Sequence, residues 1–511
     1  MALNSAGFVL FAALVILVHR LIPERARWVF LLVCSAAFYV SGGVLGFIYP
    51  LSATAATWLA ARSLDRAREK RAELTKDEKA ASKKAYDRRR RATVLFCVLF
   101  DLAALAFGKY VSGIVLRDTP AGGLGLIFPI GISFFTLSSI GYLVDVYRGT
   151  VKAERNPFRL ALFISYFPAV SQGPICRFGE LEKELFAPRG SDEKALFRGV
   201  TRMLWGYFKK AVVADRIGVA VESITGSPEL RGAYVIVLLL FYTVRLYADF
   251  TGGIDVALGF SEALGIKLPE NFNLPYFSGS LKEYWRRWHV TMCSWFRDYV
   301  FYPVSTSAVM TKISRAIRSR SGRKAARRCT LWLSAFTVWL LTGLWHGVGL
   351  NFVVWGLLNW LILMTSEELE PLYARFHEKA KFSAALPYRV FRVIRTFSLI
   401  CVLNLFDCFE RVGDTLGALF SVFSAGNGAV LFDGSLLKLG LTGTDFIILG
   451  AGVALMLAVS LVRRKRDIRE ELYRSPYALR LSALICLAVF TVIFGAYGIG
   501  YDASSFIYGG F

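Results

Sequence analysis

Only four histidines occur in the 511 residues: His19, His289, His346 and His377. An imidazole can take a proton from a hydroxyl near neutral pH and return it to a leaving group, so these are the natural candidates for general acid–base work. His19 ends an apolar stretch beside Arg20, and His377 lies in a charged loop; both read as interfacial or solvated side chains. His346 sits in the apolar run "LTGLWHGVGLN" between glycines, where an imidazole has little packing reason to be. It reads as a general base, or else as a core histidine bonded to a carbonyl. His289 closes "SLKEYWRRWH" (280–289), and "CSWFRDYVFYP" (293–303) follows shortly after. Together these segments crowd Trp285, Arg286, Arg287, Trp288, Arg297 and Asp298 around one histidine. Ionisable groups at membrane depth normally face a cavity or pair with each other, although an interfacial helix with an aromatic belt would show the same pattern. His289 and His346 are 57 residues apart with no HExxH, so no metal site is expected. The chain has no GxSxG elbow, no GxxxxGK[ST] loop and no EF-hand. The glycine-rich "AGGLGLIFPIG" (121–131) starts an apolar span rather than a nucleotide-binding unit and reads as packing. Eight cysteines are scattered singly, without a CxxC pair, and read as small buried hydrophobes.

The elements that must position these residues are transmembrane helices. With 55% apolar residues, the chain has more greasy surface than one soluble core needs. Stretches near 6–22, 27–45, 46–61, 92–111, 124–147, 199–221, 233–260, 396–412, 444–462 and 481–498 read as spans, with less regular apolar regions at 158–175 and 331–365. The first is retained rather than cleaved, because no small-residue cleavage site follows it. Three stretches, 62–91, 299–366 and 463–480, carry +19 of the net charge of +23. Such residues stay cytoplasmic, so the excess is chiefly a topology signal, with attraction to lipid headgroups as an addition. "RRRR" (88–91) has no recognition fold beside it, and no nucleic-acid partner is expected.

Counting crossings places both termini outside a bacterial cytoplasmic membrane. It also requires an even number of crossings within 331–365, solved by a tight hairpin of two short helices turning at Gly343–Gly347, with His346 buried at the bend. Residues 413–443, with one Lys and no Arg, read as an external loop. The expected fold is all-α and polytopic, a single domain over 1–511 with about 11–12 membrane segments, some short or re-entrant. It has a basic helical excursion at 62–91, a core at about 124–365 and C-terminal helices over 390–511.

At "LPENFNLPYFSGSLKEYWRRWHVTMCSWFRDYVFYP" (268–303) and "LTGLWHGVGLNFVVWGLLN" (341–359), the chain resembles the membrane-bound O-acyltransferase (MBOAT) family. It is most similar to the bacterial branch that contains alginate O-acetyltransferase and the teichoic-acid D-alanyl transfer protein. "FPIGISFFTLSSIGYLVDVYRG" (128–149), "FPAVSQGPICRF" (167–178), "DFTGGIDVALG" (249–259) and "FIYGGF" (506–511) extend the resemblance over most of the chain. It implies helices around a central tunnel through a thinned centre, with His346 matching the invariant family histidine and His289 the second motif histidine. The chain departs from the family at Gly252-Gly253-Ile254-Asp255, which keeps the acid of "GYSD" but not its aromatic residue or serine. It also departs in its longer basic stretch at about 305–328 and its altered ending.

The resemblance implies transfer of an acyl group, acetyl being expected, from a cytosolic donor to a hydroxyl of an extracytoplasmic cell-envelope polysaccharide. The donor would be acetyl-CoA or the thioester of an acyl-carrier protein, with no cofactor held permanently. A secreted or membrane-tethered acyltransferase partner would complete a relay. His346 would act as base, while His289 would position the acyl group or support developing charge. Asp249, Asp255, Trp285, Arg286, Arg287, Trp288, Arg297, Asp298, Trp345 and Asn351 would line the pathway. Two alternatives stand beside this reading: D-alanyl transfer to teichoic acid, and a polytopic transporter, for which the inverted repeats common in such proteins are not evident.

Overall fold

The computed structural model describes residues 3–43, 45–108, 131–187, 190, 192–227 and 230–496. The glycine-rich stretch up to Ile130, the start of the span expected from 124, and the terminal "FIYGGF" lie outside the described residues. Inside a bilayer the backbone must satisfy its own hydrogen bonds, which leaves helices or closed barrels. Here the answer is helical: 83% of the described residues are helix, with no strand among them.

Among the described residues four helices are long and apolar enough to cross a membrane on length and composition alone: Ala233–Ala263, Leu350–Glu368, Gly443–Arg463 and Tyr477–Phe494. Tyr477–Phe494 buries only Thr491, and its Ile485, Val492 and Ile493 are exposed, as suits a helix solvated by lipid. This is a multi-pass membrane protein. The first two expected spans are the helices Ala6–Leu21 and Arg27–Val40. The stretches 46–61 and 92–111 run on as Ile48–Glu73 and Lys76–Ala106, so the basic excursion is the protruding end of a helical hairpin. Its second arm starts at a capping box, in which the Glu78 carboxylate accepts from the Thr75 N–H at 2.8 Å. The irregular region 158–175 holds the short helices Pro157–Ser165 and Phe167–Ser171. The stretch 199–221 becomes Glu193–Tyr207, a wider-wound turn over Phe208–Ala214, and Asp215–Thr225.

Three expectations need correction. The span placed at 396–412 is the helix Leu386–Asn404. Pro387 is tolerated in its first turn, where a missing N–H costs nothing, and the chain leaves the helix after Asn404 for a tighter turn at Leu405–Asp407. The segment 413–443 is not simply a loop, since it contains most of the helix Val412–Ser424. The hairpin within 331–365 exists, but its arms are not short. Helix continues to His346, the bend is Gly347–Gly349, and the second arm is the 19-residue helix Leu350–Glu368. The first arm extends back to a break at Gly322, whose φ of 85° separates it from the basic helix beginning at Ala308.

Glycine sets two close helix contacts. Gly199 and Gly206, seven residues apart, face Gly252 and Gly259, also seven apart, so Glu193–Tyr207 meets Ala233–Ala263 backbone to backbone. A Cβ on Gly206 would lie 2.6 Å from the Gly252 carbonyl oxygen. In the hairpin, a Cβ on Gly343 would lie 2.5 Å from the Phe352 oxygen, and one on Gly356 would lie 2.5 Å from the Trp339 oxygen.

Contacts tie the basic stretches to neighbouring helix ends. Arg68 donates to the Val146 carbonyl at 3.1 Å, and Arg148 to the Asp298 carbonyl at 2.8 Å. Arg198 pairs with Glu262 at 3.0 Å and with Glu470 at 2.8 Å, while Arg328 pairs with Glu368 at 2.9 Å.

Replacing Gly356 by Leu forces the hairpin arms apart. It is expected to cost about 1–3 kcal/mol, read as a lower thermal midpoint of the purified full chain, whereas Gly413→Ala, with open space around it, should leave the midpoint in place.

Candidate active site

The site is built from three pieces of chain: the middle of the helix Ala233–Ala263, the motif segment 268–296 and the tip of the hairpin. The long helix has its centre at Ala248, and Phe250, two residues on, meets the His289 ring edge-on at 5.1 Å. His289 is fully buried and caps the short helix Val290–Phe296 in a left-handed conformation, φ 45°. Among the described residues only Leu274 shares that conformation without being glycine. Such backbone costs roughly 1–3 kcal/mol and persists only where its surroundings enforce it. Two backbone hydrogen bonds enforce it here: Asn273 N–H to the Arg287 carbonyl at 2.9 Å, and Val290 N–H to the Asn271 carbonyl at 3.0 Å.

The Asn271 side chain completes the clamp. Its Oδ1 lies 3.2 Å from His289 Nδ1 and accepts from the Thr291 N–H (3.1 Å) and the Thr291 hydroxyl (2.9 Å). An amide oxygen can only accept, so Nδ1 carries the imidazole proton and the lone pair stays on Nε2. His289 Nε2 is buried and has no hydrogen-bond partner.

His346 is the last residue of its helix and is buried. Its Nδ1 lies 2.8 Å from the Thr342 carbonyl, which also only accepts, so the same tautomer follows. Trp345 stands between the two histidines, its ring 6.2 Å from His289 and 5.0 Å from His346. Trp355, from the other hairpin arm, packs on His346 at 4.6 Å. Trp285 donates to Asn359 Oδ1 at 3.0 Å, and its ring meets Trp355 at 5.7 Å, which anchors the motif helix to the hairpin. Trp288 is buried in an aromatic group with Phe250, Phe272, Tyr276 and Tyr284.

The other sequence-predicted residues lie elsewhere. Asp255 accepts from Arg202 Nε at 2.8 Å and Lys209 Nζ at 2.6 Å, and Arg202 also holds Glu270 at 2.6 Å through both terminal nitrogens. These groups line a cavity of about 90 Å³ whose wall includes Phe272. A second cavity of about 330 Å³ shares Arg202 and Glu270 with it. Asp249 pairs with Lys210 at 2.7 Å, and Lys210 also pairs with Asp215 at 2.8 Å. Arg286 is exposed, and Arg287 pairs with Glu283 at 2.6 Å. Asp298 joins Arg297 at 2.9 Å and Arg177 at 2.6 Å beside a cavity of about 390 Å³. Asn351 is buried and donates to the Phe409 carbonyl.

The structure thus gathers His289, His346, Trp285, Trp288 and Trp345, and sets the charged residues and Asn351 in separate groups. It adds Asn271, Thr291, Trp355 and Asn359, as well as Arg202, Lys209 and Glu270, none of which the sequence motifs single out. Lys209-Lys210 inside an apolar stretch was the available signal for the ionic group. Among the described residues no three His, Cys, Asp or Glu side chains converge on a metal position.

The sequence pattern of the membrane-bound O-acyltransferase family matches residues 155–317. A teichoic acid D-alanyltransferase of Bacillus subtilis is 30% identical over 284 residues, 54% of this chain and 67% of that protein. The chain belongs to the membrane-bound O-acyltransferase family. Another similar protein is a probable alginate O-acetylase of Pseudomonas syringae pv. tomato, 32% identical over 64% of this chain and 60% of its own length. A peptidoglycan O-acetyltransferase of Helicobacter pylori is 29% identical over 65% of this chain and 64% of its own. The chain spans between 43% and 60% of the length of the alginate O-acetylases it matches. The matched membrane-bound O-acyltransferase segment contains Asn271 and His289, while His346 lies beyond it.

Removing Arg202 leaves two carboxylates without their guanidinium. Arg202→Leu is expected to cost about 3–5 kcal/mol, seen as a large drop in thermal midpoint, whereas Arg286→Ala should stay within about 0.5 kcal/mol of the parent.

Proposed function

We propose that this protein is a membrane O-acyltransferase that delivers an acetyl group from a cytosolic thioester to a hydroxyl of an extracytoplasmic cell-envelope polysaccharide or to a partner acyltransferase that acts on it. The observation that carries the reading is the pair of buried histidines flanking Trp345, each with Nδ1 bonded to an acceptor and therefore with a basic Nε2. His346 takes the proton of the attacking hydroxyl and returns it to the leaving thiolate. His289, packed against Phe250 near the middle of the longest apolar helix, orients the reacting groups. Acetyl is preferred because alginate and peptidoglycan O-acetylating relatives stand among the matches; D-alanyl transfer is the alternative that the Bacillus relative supports. The donor is acetyl-CoA or an acyl-carrier thioester, and the chain sits in the cytoplasmic membrane with its N-terminus outside.

His346→Ala is expected to abolish acylation of envelope glycans, read by mass spectrometry, with the protein still folded and inserted. His289→Ala should lower it by about 10²–10⁴-fold. Unchanged glycan acylation in His346→Ala would refute the assignment. A cysteine placed at Ser319 should react with a membrane-impermeant maleimide only after the cytosolic face is opened. Labelling in intact cells would overturn the proposed sidedness.

A further inference from the structure

Acyl transfer needs a hydrogen-bond donor where the carbonyl oxygen gathers negative charge. Neutral His289 does not supply one: its Nδ1 proton is given to Asn271, and its Nε2 presents a lone pair. The same carboxamide carries a donor that nothing uses. Asn271 is fully buried, its Oδ1 takes three donors, and its Nδ2 has no hydrogen-bond partner. Buried amide hydrogens are rarely left unpaired in native proteins, and such a group asks for an acceptor from outside the chain. The Thr291 backbone N–H fixes which end of the amide is oxygen, so the orphaned end is the NH₂. A buried, unused donor on the side chain that holds a histidine of the site suits a ligand that brings a carbonyl oxygen, as a thioester does.

We propose that Asn271 Nδ2 is the binding group for the acyl carbonyl oxygen of the donor thioester. This deepens the acyltransferase reading and rests on it. In the step, the acceptor hydroxyl oxygen bonds to the carbonyl carbon while its proton passes to His346 Nε2. The C=O π pair moves onto oxygen, where Asn271 N–H holds the oxyanion. Collapse restores C=O and breaks the C–S bond, and the leaving thiolate takes the proton from the imidazolium, giving ester and thiol. Through Oδ1, Asn271 also positions His289, so one side chain sets both the tautomer and the carbonyl.

The test uses the full chain in nanodiscs and a non-reactive ketone analogue of acetyl-CoA, with a methylene in place of sulfur and a ¹³C carbonyl. In the parent, the infrared carbonyl stretch of the bound analogue should move to lower frequency. In Asn271→Asp, which keeps the Oδ1 acceptor but lacks the N–H donor, the shift should vanish while ¹⁵N-imidazole NMR still reports the Nδ1–H tautomer of His289. With acetyl-CoA itself, kcat for thiol release should fall by about 10²–10³-fold, with KM changed less than about threefold. If Asn271→Asp does not fold, Thr291→Val loosens the amide with both groups still present, and the shift must shrink. A shift that persists in Asn271→Asp, or a bound carbonyl unshifted in the parent, overturns the carbonyl site alone. Failure of the parent to bind the analogue overturns the acetyl-CoA reading and this site with it.

Discussion

A polar side chain buried among packed helices has no water to turn to, and everything at this site follows from how two imidazoles are satisfied without it. Each gives its Nδ1 proton to an oxygen of the chain itself, His346 to the carbonyl one helical turn back and His289 to a carboxamide eighteen residues away in sequence. Meeting that need fixes each ring's tautomer and keeps the basic nitrogen on the opposite side. The cost of burying a polar ring and the choice of its basic atom are settled by one hydrogen bond.

The remaining architecture holds those two bonds in register. Glycine contacts draw Glu193–Tyr207 against the long helix that carries Phe250, and a second set closes the hairpin that carries His346. Trp285 then fastens the motif helix to the hairpin through Asn359. The charged residues form pairs of their own, among which Arg202 serves three carboxylate oxygens at once. Arg202 with Asp255 and Lys210 with Asp249 join different helices, which is what lets these charges sit buried between them.

Much of this was legible in the residue order. Hydropathy located most helices, charge located the exposed ends, and rarity singled out both histidines. The bend falls at Gly347–Gly349 and not from Gly343 on, because Gly343 reads as a turn former while it serves close packing against Phe352, a demand that glycine meets equally well. The helix Leu386–Asn404 was shifted because its first half is basic and only its second half is apolar. Asn271 is silent in the sequence for a different reason. Its importance comes from meeting His289 and Thr291 in space, and nothing in the local pattern of "LPENFN" announces that meeting.

The chain that carries Asn271 has no regular structure, yet it cannot behave as an ordinary connecting loop. Glu270 and Phe272 turn toward the ionic cavity, while Asn271 between them turns toward His289. Adding or deleting a single residue here would exchange the two faces, sending the carboxamide into the salt-bridged chamber and an aromatic or acidic side chain onto the imidazole. This stretch should therefore be as intolerant of length variation as a strand inside a sheet, and length differences among kindred sequences should gather on either side of it.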